Sequence, residues 1–114
     1  METARLSLRI DLPNGTRFGP GKAALLAALL EDGSIKAAAN RLGMSYPRAL
    51  KLIDQMNSSF SAPLVETHHG GAEGGGTQVT NLGQEILELY SSICDSAVVA
   101  STDKFQILLK HIRD

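Results

Sequence analysis

Apolar residues recur along the chain with two periods. Residues 5–12, RLSLRIDL, alternate: Leu6, Leu8, Ile10 and Leu12 fall on one side, Arg5, Ser7, Arg9 and Asp11 on the other. A period of two predicts a half-buried strand, and Pro13-Asn14-Gly15 turns the chain after it. From Pro20 the period lengthens to that of a helix, running to Asp32 with Pro20 in the first turn and Gly33 as the stop. Leu25, Leu26, Leu29 and Leu30, with the alanines among them, make more than half its circumference apolar, so this helix is either central or packs on two partners. Ser34 then caps a short helix whose Ile35, Ala38, Ala39 and Leu42 form one face, with Lys36, Asn40 and Arg41 off it. Gly43 supplies a left-handed stop. Ser45 caps a third helix with Pro47 in its first turn. Its expected inward stripe is Tyr46, Ala49, Leu50, Ile53, Asn57 and Phe60, leaving Arg48, Lys51, Gln55 and Ser58 outward. Short β-like runs at 63–69 and 77–80 flank a glycine-rich stretch. Helical period then resumes, with Leu82, Ile86, Leu89, Tyr90, Ile93 and Ala97 on one stripe and Leu87, Cys94 and Val98 on its neighbour. Ser101 to Asp103 are placed to cap a last short helix carrying Phe105, Leu108, Leu109 and Ile112.

The order β-α-α-α-β-β-α predicts a mainly α fold with a small β-hairpin, a winged helix-turn-helix. One domain covers 1–114, with the helix-turn-helix at 34–59, the wing at 64–80 and a C-terminal helix at 81–113. The helix-turn-helix has physical content. Ala37, Ala38 and Ala39 let a second helix cross closely, and Leu42-Gly43-Met44 makes the tight turn. In such motifs the N-terminal end of the second helix enters the major groove, where a helix N-terminus also favours a phosphate. A plain αα corner is the alternative. Arg48 and Lys51 on the free face, and the strand pair that follows, favour the DNA-reading version.

Composition narrows the classes. With 114 residues, 43% hydrophobic and 20% charged, the chain suits one globular domain with a modest core. No apolar run approaches the roughly 18–20 residues of a membrane span, the N-terminus lacks the layout of a secretory signal, and a single cysteine, Cys94, permits no internal disulfide. The cytoplasm is the expected compartment. The net charge of −1 hides an asymmetry: residues 1–60 carry eight Lys/Arg against five Asp/Glu, and residues 61–114 three against seven. An anion-facing first half fits that split.

Positions 68–77, HHGGAEGGGT, raise three readings. A P-loop fails, because no G-x-x-x-x-G-K-[ST] is present, and GPGKA at 19–23 fails as well. A linker is too short and is flanked by strand-like runs. A hairpin tip fits, since glycines permit tight turns and close approach to a phosphodiester. His68 and His69 are adjacent, so on a strand they point to opposite faces, and no metal site is expected. No cofactor is expected either, and no constellation for catalysis rises above chance.

The stretch LRIDLPNGTRFGPGKAALLAALLEDGSIKAAANRLGMSYPRALKLIDQMN, followed by PLVETHHGGAEGGGTQVTNLGQEILELY, resembles the N-terminal domain of ModE-type molybdate-responsive transcription regulators, a winged helix related to the LysR-type DNA-binding domain. GSIKAAANRLGMSY, PLVET before the wing, and VTNLGQEILELY after it carry the likeness, which covers roughly residues 6–95. It implies binding to double-stranded DNA as a homodimer, with the helix at 45–58 in the major groove. On that reading Arg48 and Lys51 enter the groove, and Ser45, Tyr46 and Pro47 form the first turn that meets backbone or base edge. Ser34, Lys36 and Arg41 hold flanking phosphates, and Thr67, His68, His69, Gly70 and Gly71 lie along the backbone. The dimer contact is expected from Leu25 and Leu29 of the first long helix and from Leu87, Tyr90, Cys94 and Val98 of the last, on faces too wide for a lone chain to cover.

Three departures qualify what the resemblance implies. Family members carry C-terminal oxyanion-binding modules for which these residues leave no room, so molybdate sensing is not expected here; a separate oxyanion-sensing protein could supply it. The wing holds Glu73 and histidines where the family's is more basic, which predicts weaker binding with a shallower salt slope. Pro47 replaces a polar recognition-helix residue and so changes the sequence read. Two competing classes stand beside the regulator: a winged helix that binds protein, favoured by the overall charge of −1, and a small oxyanion sensor.

Overall fold

The structure is a computed structural model that describes residues 5–71 and 74–113, with side chains described outside 69–75. Two small antiparallel hairpins flank three helices, and a long helix closes the chain. β1 (Ile10–Asp11) pairs with β2 (Arg17–Phe18), followed by α1 (Pro20–Asp32), α2 (Ile35–Arg41), α3 (Tyr46–Ser59), β3 (Val65–Gly71), β4 (Gly74–Val79) and α4 (Asn81–Leu109).

The N-terminal alternation holds as burial: Leu6, Leu8, Ile10 and Leu12 are half-buried and Arg5, Ser7, Arg9 and Asp11 exposed. The ladder itself is shorter than the pattern, with Ile10 opposite Phe18 and Asp11 opposite Arg17. Asn14 shapes the turn by accepting from Thr16 N at 3.2 Å and anchors it to α3 by donating to Ser59 O at 2.9 Å. Phe18 then enters the core edge-on to Tyr90 and Phe60, at centroid distances of 5.2 and 6.3 Å.

α1 is the central element and touches α2, α3, α4, β2 and β4. Most of its wide apolar arc is therefore consumed inside the subunit, while Leu30 stays 46% exposed. Leu25 and Leu29, expected at a dimer contact, are 0% and 1% exposed, which corrects that expectation: a side chain sealed by its own chain has no surface to offer a partner. Lys22, also on this helix, is buried and donates to the Arg17 carbonyl. Burial, and then the nearby Arg17 charge, push its ammonium below the ordinary lysine range. α1 ends at Gly33, whose φ of 63° is left-handed and needs glycine.

α2 buries Ile35, Ala38 and Ala39 as its period predicts. The buried residues of α3 are Ala49, Leu52, Ile53 and Met56, which differs from the expected stripe. Packing against both α1 and α2 widens the buried arc to take in Leu52 and Met56. Tyr46, expected inward, is 48% exposed because it sits in the first turn, beyond the helices that cover the rest.

The base of β3–β4 is locked to the body. Val65 lies opposite Val79, both buried. Thr80 caps α4, its hydroxyl accepting from Gly83 N at 3.0 Å while donating to Pro63 O at 2.8 Å. α4 is one continuous helix, so the expected separate C-terminal helix is corrected. Ser101 and Thr102 turn their hydroxyls back to the carbonyls of Ala97 and Val98, at 2.6 and 3.1 Å, and so stay inside the helix rather than capping a new one. Its N-terminal half packs through Gly83 and Tyr90, with Leu82, Ile86, Leu87 and Cys94 against the core. Beyond Cys94 it projects from the body.

Candidate nucleic-acid interface

Two helix starts and one hairpin edge converge on a single face. Ser34 caps α2 by accepting from Ala37 N at 3.2 Å, and Ser45 caps α3 by accepting from Arg48 N at 3.2 Å. Each hydroxyl keeps its own proton free for donation. The wing is held beside them by a backbone bond from Thr77 N to Gly33 O of 3.1 Å, at the corner between α1 and α2. The result is an open groove of about 640 Å³ lined by Ser34, Lys36, Tyr46, Thr67, His68 and Thr77, among others. A second hollow of about 540 Å³ continues it along α2, sharing Ser34, Lys36 and Tyr46.

Arg48 and Lys51 stand exposed on α3, on the side away from Ala49, Leu52, Ile53 and Met56. Among the described residues neither has an ion-pair partner, so both charges are available to an anion. Pro47 is exposed in the first turn, where its missing N–H leaves no helix bond unmade. Lys36 is also exposed and lines both hollows.

Arg41 is placed differently. Its guanidinium makes a two-pronged contact with Asp32, Nε to Oδ2 at 3.0 Å and Nη2 to Oδ1 at 2.6 Å, with Glu31 at 3.7 Å. The hydrogen bond to Asp32, and then its charge, hold the guanidinium protonated even more firmly than usual. A phosphate clamp at Arg41 would have to compete with this fork, so Arg41 in this state ties the end of α2 to the end of α1.

On the wing, Thr67 and His68 are exposed, and His68 Nε2 lies 3.3 Å from Gln78 Oε1 across the ladder. Gly70 and Gly71 lie in β3, where the ladder slips register between His68 and Gly71. The side chain of His69 lies outside the described residues. Among the described residues no group of three His, Cys, Asp or Glu side chains comes together.

The residues expected at a dimer contact divide. Leu25, Leu29 and Tyr90 belong to the core, Tyr90 at 8% exposure with its hydroxyl donating to Leu8 O at 2.6 Å. That corrects Tyr90 too. Leu87 and Cys94 are half-buried against the core, and Val98 is 43% exposed. Other uncovered apolar side chains on and after α4 are Leu89 and Ile93 and, further on, Val99, Ile107, Leu108 and Ile112.

The positioning roles of two residues escape the sequence reading. Asn57 fixes the start of β3 through its side-chain amide; its signal is a polar residue on an otherwise apolar helical arc. Gly83 sits where an added Cβ would overlap the Leu64 carbonyl and lie 2.7 Å from Val79 Cγ1. Its glycine lets α4 pass close to the base of the wing.

Comparison with known proteins gives this face a context. The family model described as bacterial regulatory helix-turn-helix protein, lysR family, matches residues 22–84. The molybdenum-pterin-binding protein MopB of Rhodobacter capsulatus is 40% identical over 79 residues, 69% of this chain and 29% of that protein. The molybdenum transport protein ModE of Azotobacter vinelandii is 40% identical over 90 residues, 79% of this chain and 33% of that protein. The DNA-binding transcriptional dual regulator ModE of Escherichia coli K12 is 34% identical over 87 residues, 76% and 33% respectively. The chain thus spans about a third of the length of these relatives. Among solved structures, the DNA-binding domain in the crystal structure of a CbnR_DBD–DNA complex shares the fold at a TM-score of 0.57 and 24% identity, covering 78% of this chain and 95% of that one. With more than half of its length under the family model, this chain belongs to the bacterial regulatory helix-turn-helix proteins of the lysR family, and its helix-turn-helix domain is of the ModE type.

Proposed function

We propose that this chain is a sequence-specific DNA-binding transcription regulator that acts as a homodimer. The observation that carries the reading is the two-sidedness of α3: its inner side is sealed by Ala49, Leu52, Ile53 and Met56, while Arg48 and Lys51 stand exposed. α3 enters the major groove with Arg48 and Lys51 toward the bases, and the Ser45 and Tyr46 hydroxyls meet backbone or base edge. Lys36 and Ser34 hold a flanking phosphate, and the wing from Thr67 to Thr77 follows the backbone. Phosphate contacts set affinity and register, and the few base contacts set sequence. A DNA target places its work in the cytoplasm; among the described residues no helix is long and apolar enough to cross a membrane.

The homodimer rests on α4. Its 29 residues extend about 43 Å at 1.5 Å per residue, and the projecting part exposes Val98, Val99, Ile107 and Leu108. Apolar side chains left uncovered along this length mark a partner surface, and a twofold copy covers part of it symmetrically while presenting two recognition helices to a near-palindromic site. Molybdate is not carried over to this chain, because it matches only about a third of the relatives whose names mention molybdenum.

Selection of bound duplexes from a random pool at low salt tests the reading. A recurring, two-half motif is the expected result. Recovery of unenriched sequences would leave only phosphate attraction, and absence of binding would favour a protein-binding winged helix.

A further inference from the structure

A further hollow, of about 330 Å³, is lined by Gly15, Thr16 and Arg17 of the β1–β2 hairpin, Lys22 of α1 and Gln55 of α3. Lys22 is a charged side chain only 8% exposed. One of its N–H groups goes to the Arg17 carbonyl, and an ammonium has three. Arg17 itself is exposed. Among the described residues neither cation has an ion-pair partner, and no Asp or Glu lines the hollow. Asp11, opposite Arg17 in the ladder, is held by Arg9 at 2.9 Å. Asp54 precedes Gln55 but falls about 100° away round α3. A buried ammonium beside a like charge is costly without a compensating anion. Burial and then the Arg17 charge both disfavour the Lys22 ammonium, and an anion in the hollow offsets both.

The place of this hollow on α3 fits one anion in particular. Tyr46 and Leu50 line the groove on the wing side. At about 100° per residue, Gln55 falls about 180° round from Tyr46 and about 140° from Leu50, and the exposed Pro47, Lys51 and Ser58 lie in the arc between. The exposed face of α3 thus has the wing groove along one flank and this hollow along the other. A helix about 10–12 Å across fills a major groove about 12 Å wide, so its two flanks face the two phosphate walls. Resting on the DNA-binding reading, we infer that the hollow seats a backbone phosphate between Lys22 and Arg17, on the wall opposite the one met by Lys36 and the wing. The duplex is then gripped from both sides of α3, by the hairpin and helix that precede the helix-turn-helix as well as by the wing that follows it.

The test is affinity of the full chain for a mixed-sequence duplex across a salt series, with thermal midpoints, for the natural chain, Arg17→Gln, Lys22→Met and Gln55→Glu. Arg17→Gln changes an exposed side chain, so it carries the test if Lys22→Met fails to fold. Each of these two variants should make the slope of log affinity against log salt shallower by about one phosphate contact per subunit. Gln55→Glu sets a carboxylate at the hollow, so it should raise the thermal midpoint while lowering duplex affinity, an opposition that a merely structural hollow would not produce. An Arg17→Gln chain with the natural slope overturns the inference and leaves the DNA reading standing; so does a Gln55→Glu chain no more stable than the natural one. A natural chain stabilised by inorganic phosphate over chloride at equal ionic strength, with that gain lost in Arg17→Gln and the duplex slope unchanged, assigns the hollow to a free anion and also overturns it. A natural chain that binds no duplex at any salt concentration overturns both.

Discussion

Asn57 in α3 holds the backbone of Val65 at the start of the wing from both sides. Its Oδ1 accepts from Val65 N at 3.1 Å and from Leu64 N at 2.8 Å, and its Nδ2 donates to Val65 O at 3.0 Å. One side chain of the proposed recognition helix thus replaces the strand partner that β3 lacks on that side. Asn57→Ala leaves two backbone N–H groups and a carbonyl without these partners. Unpaired groups of this kind cost about 1–3 kcal/mol. Denaturant unfolding is expected to show that loss, and duplex binding should weaken further as the wing loses its alignment with α3.

Gly83 is the second joint of the wing. A methyl group there meets the Leu64 carbonyl and Val79 Cγ1, and neither belongs to a flexible side-chain end. Overpacking against backbone costs about 1–3 kcal/mol, so Gly83→Ala should lower the thermal midpoint. Gly21, also helical but with nothing within 4 Å of an added Cβ, is the control: Gly21→Ala should leave stability unchanged or raise it.

These two residues show what the linear pattern carries and what it does not. α2 was fully legible, because Ile35, Ala38 and Ala39 repeat over one face and that face alone is buried. The phase of α3 was not: a helix covered by two neighbours buries more than one stripe, and Tyr46 lies past the end of its cover. β2 was missed, since Arg17–Phe18 is too short to show any alternation. Leu25 and Leu29 read as a partner surface because an all-round apolar helix looks the same in sequence whether its neighbours belong to its own chain or to another. The exposed face bearing Arg48 and Lys51 was legible from spacing alone, whereas the engagement of Arg41 by Asp32, nine residues away, depends on how two helices meet.

Asp32 and Arg41 give a prediction with an unusual sign. The fork on Asp32 neutralises a guanidinium on the flank of the proposed DNA face. Asp32→Ala removes a negative charge and releases Arg41, so non-specific duplex affinity should increase and its salt dependence steepen by about one phosphate contact. Affinity measured against salt concentration checks this; an unchanged slope would show that Arg41 stays out of reach of DNA even when free.

The exposed apolar side chains on α4 predict association. Val99, 76% exposed, contributes nothing to the subunit core. Val99→Glu should therefore preserve the fold while shifting the chain toward a monomer in sedimentation velocity, and the weaker duplex affinity of a single half-site should accompany it. A variant that sediments as the natural chain does would move the dimer contact elsewhere.

The account stands most directly on Arg48. The decisive measurement is affinity of the natural chain and of Arg48→Ala for a selected duplex and for a scrambled one at the same low salt. The prediction is a loss of about 1–3 kcal/mol on the selected duplex with little change on the scrambled one, and relaxed discrimination at one position of each half-site. Equal losses on both duplexes, or none on either, would contradict a base-reading role for the outer face of α3.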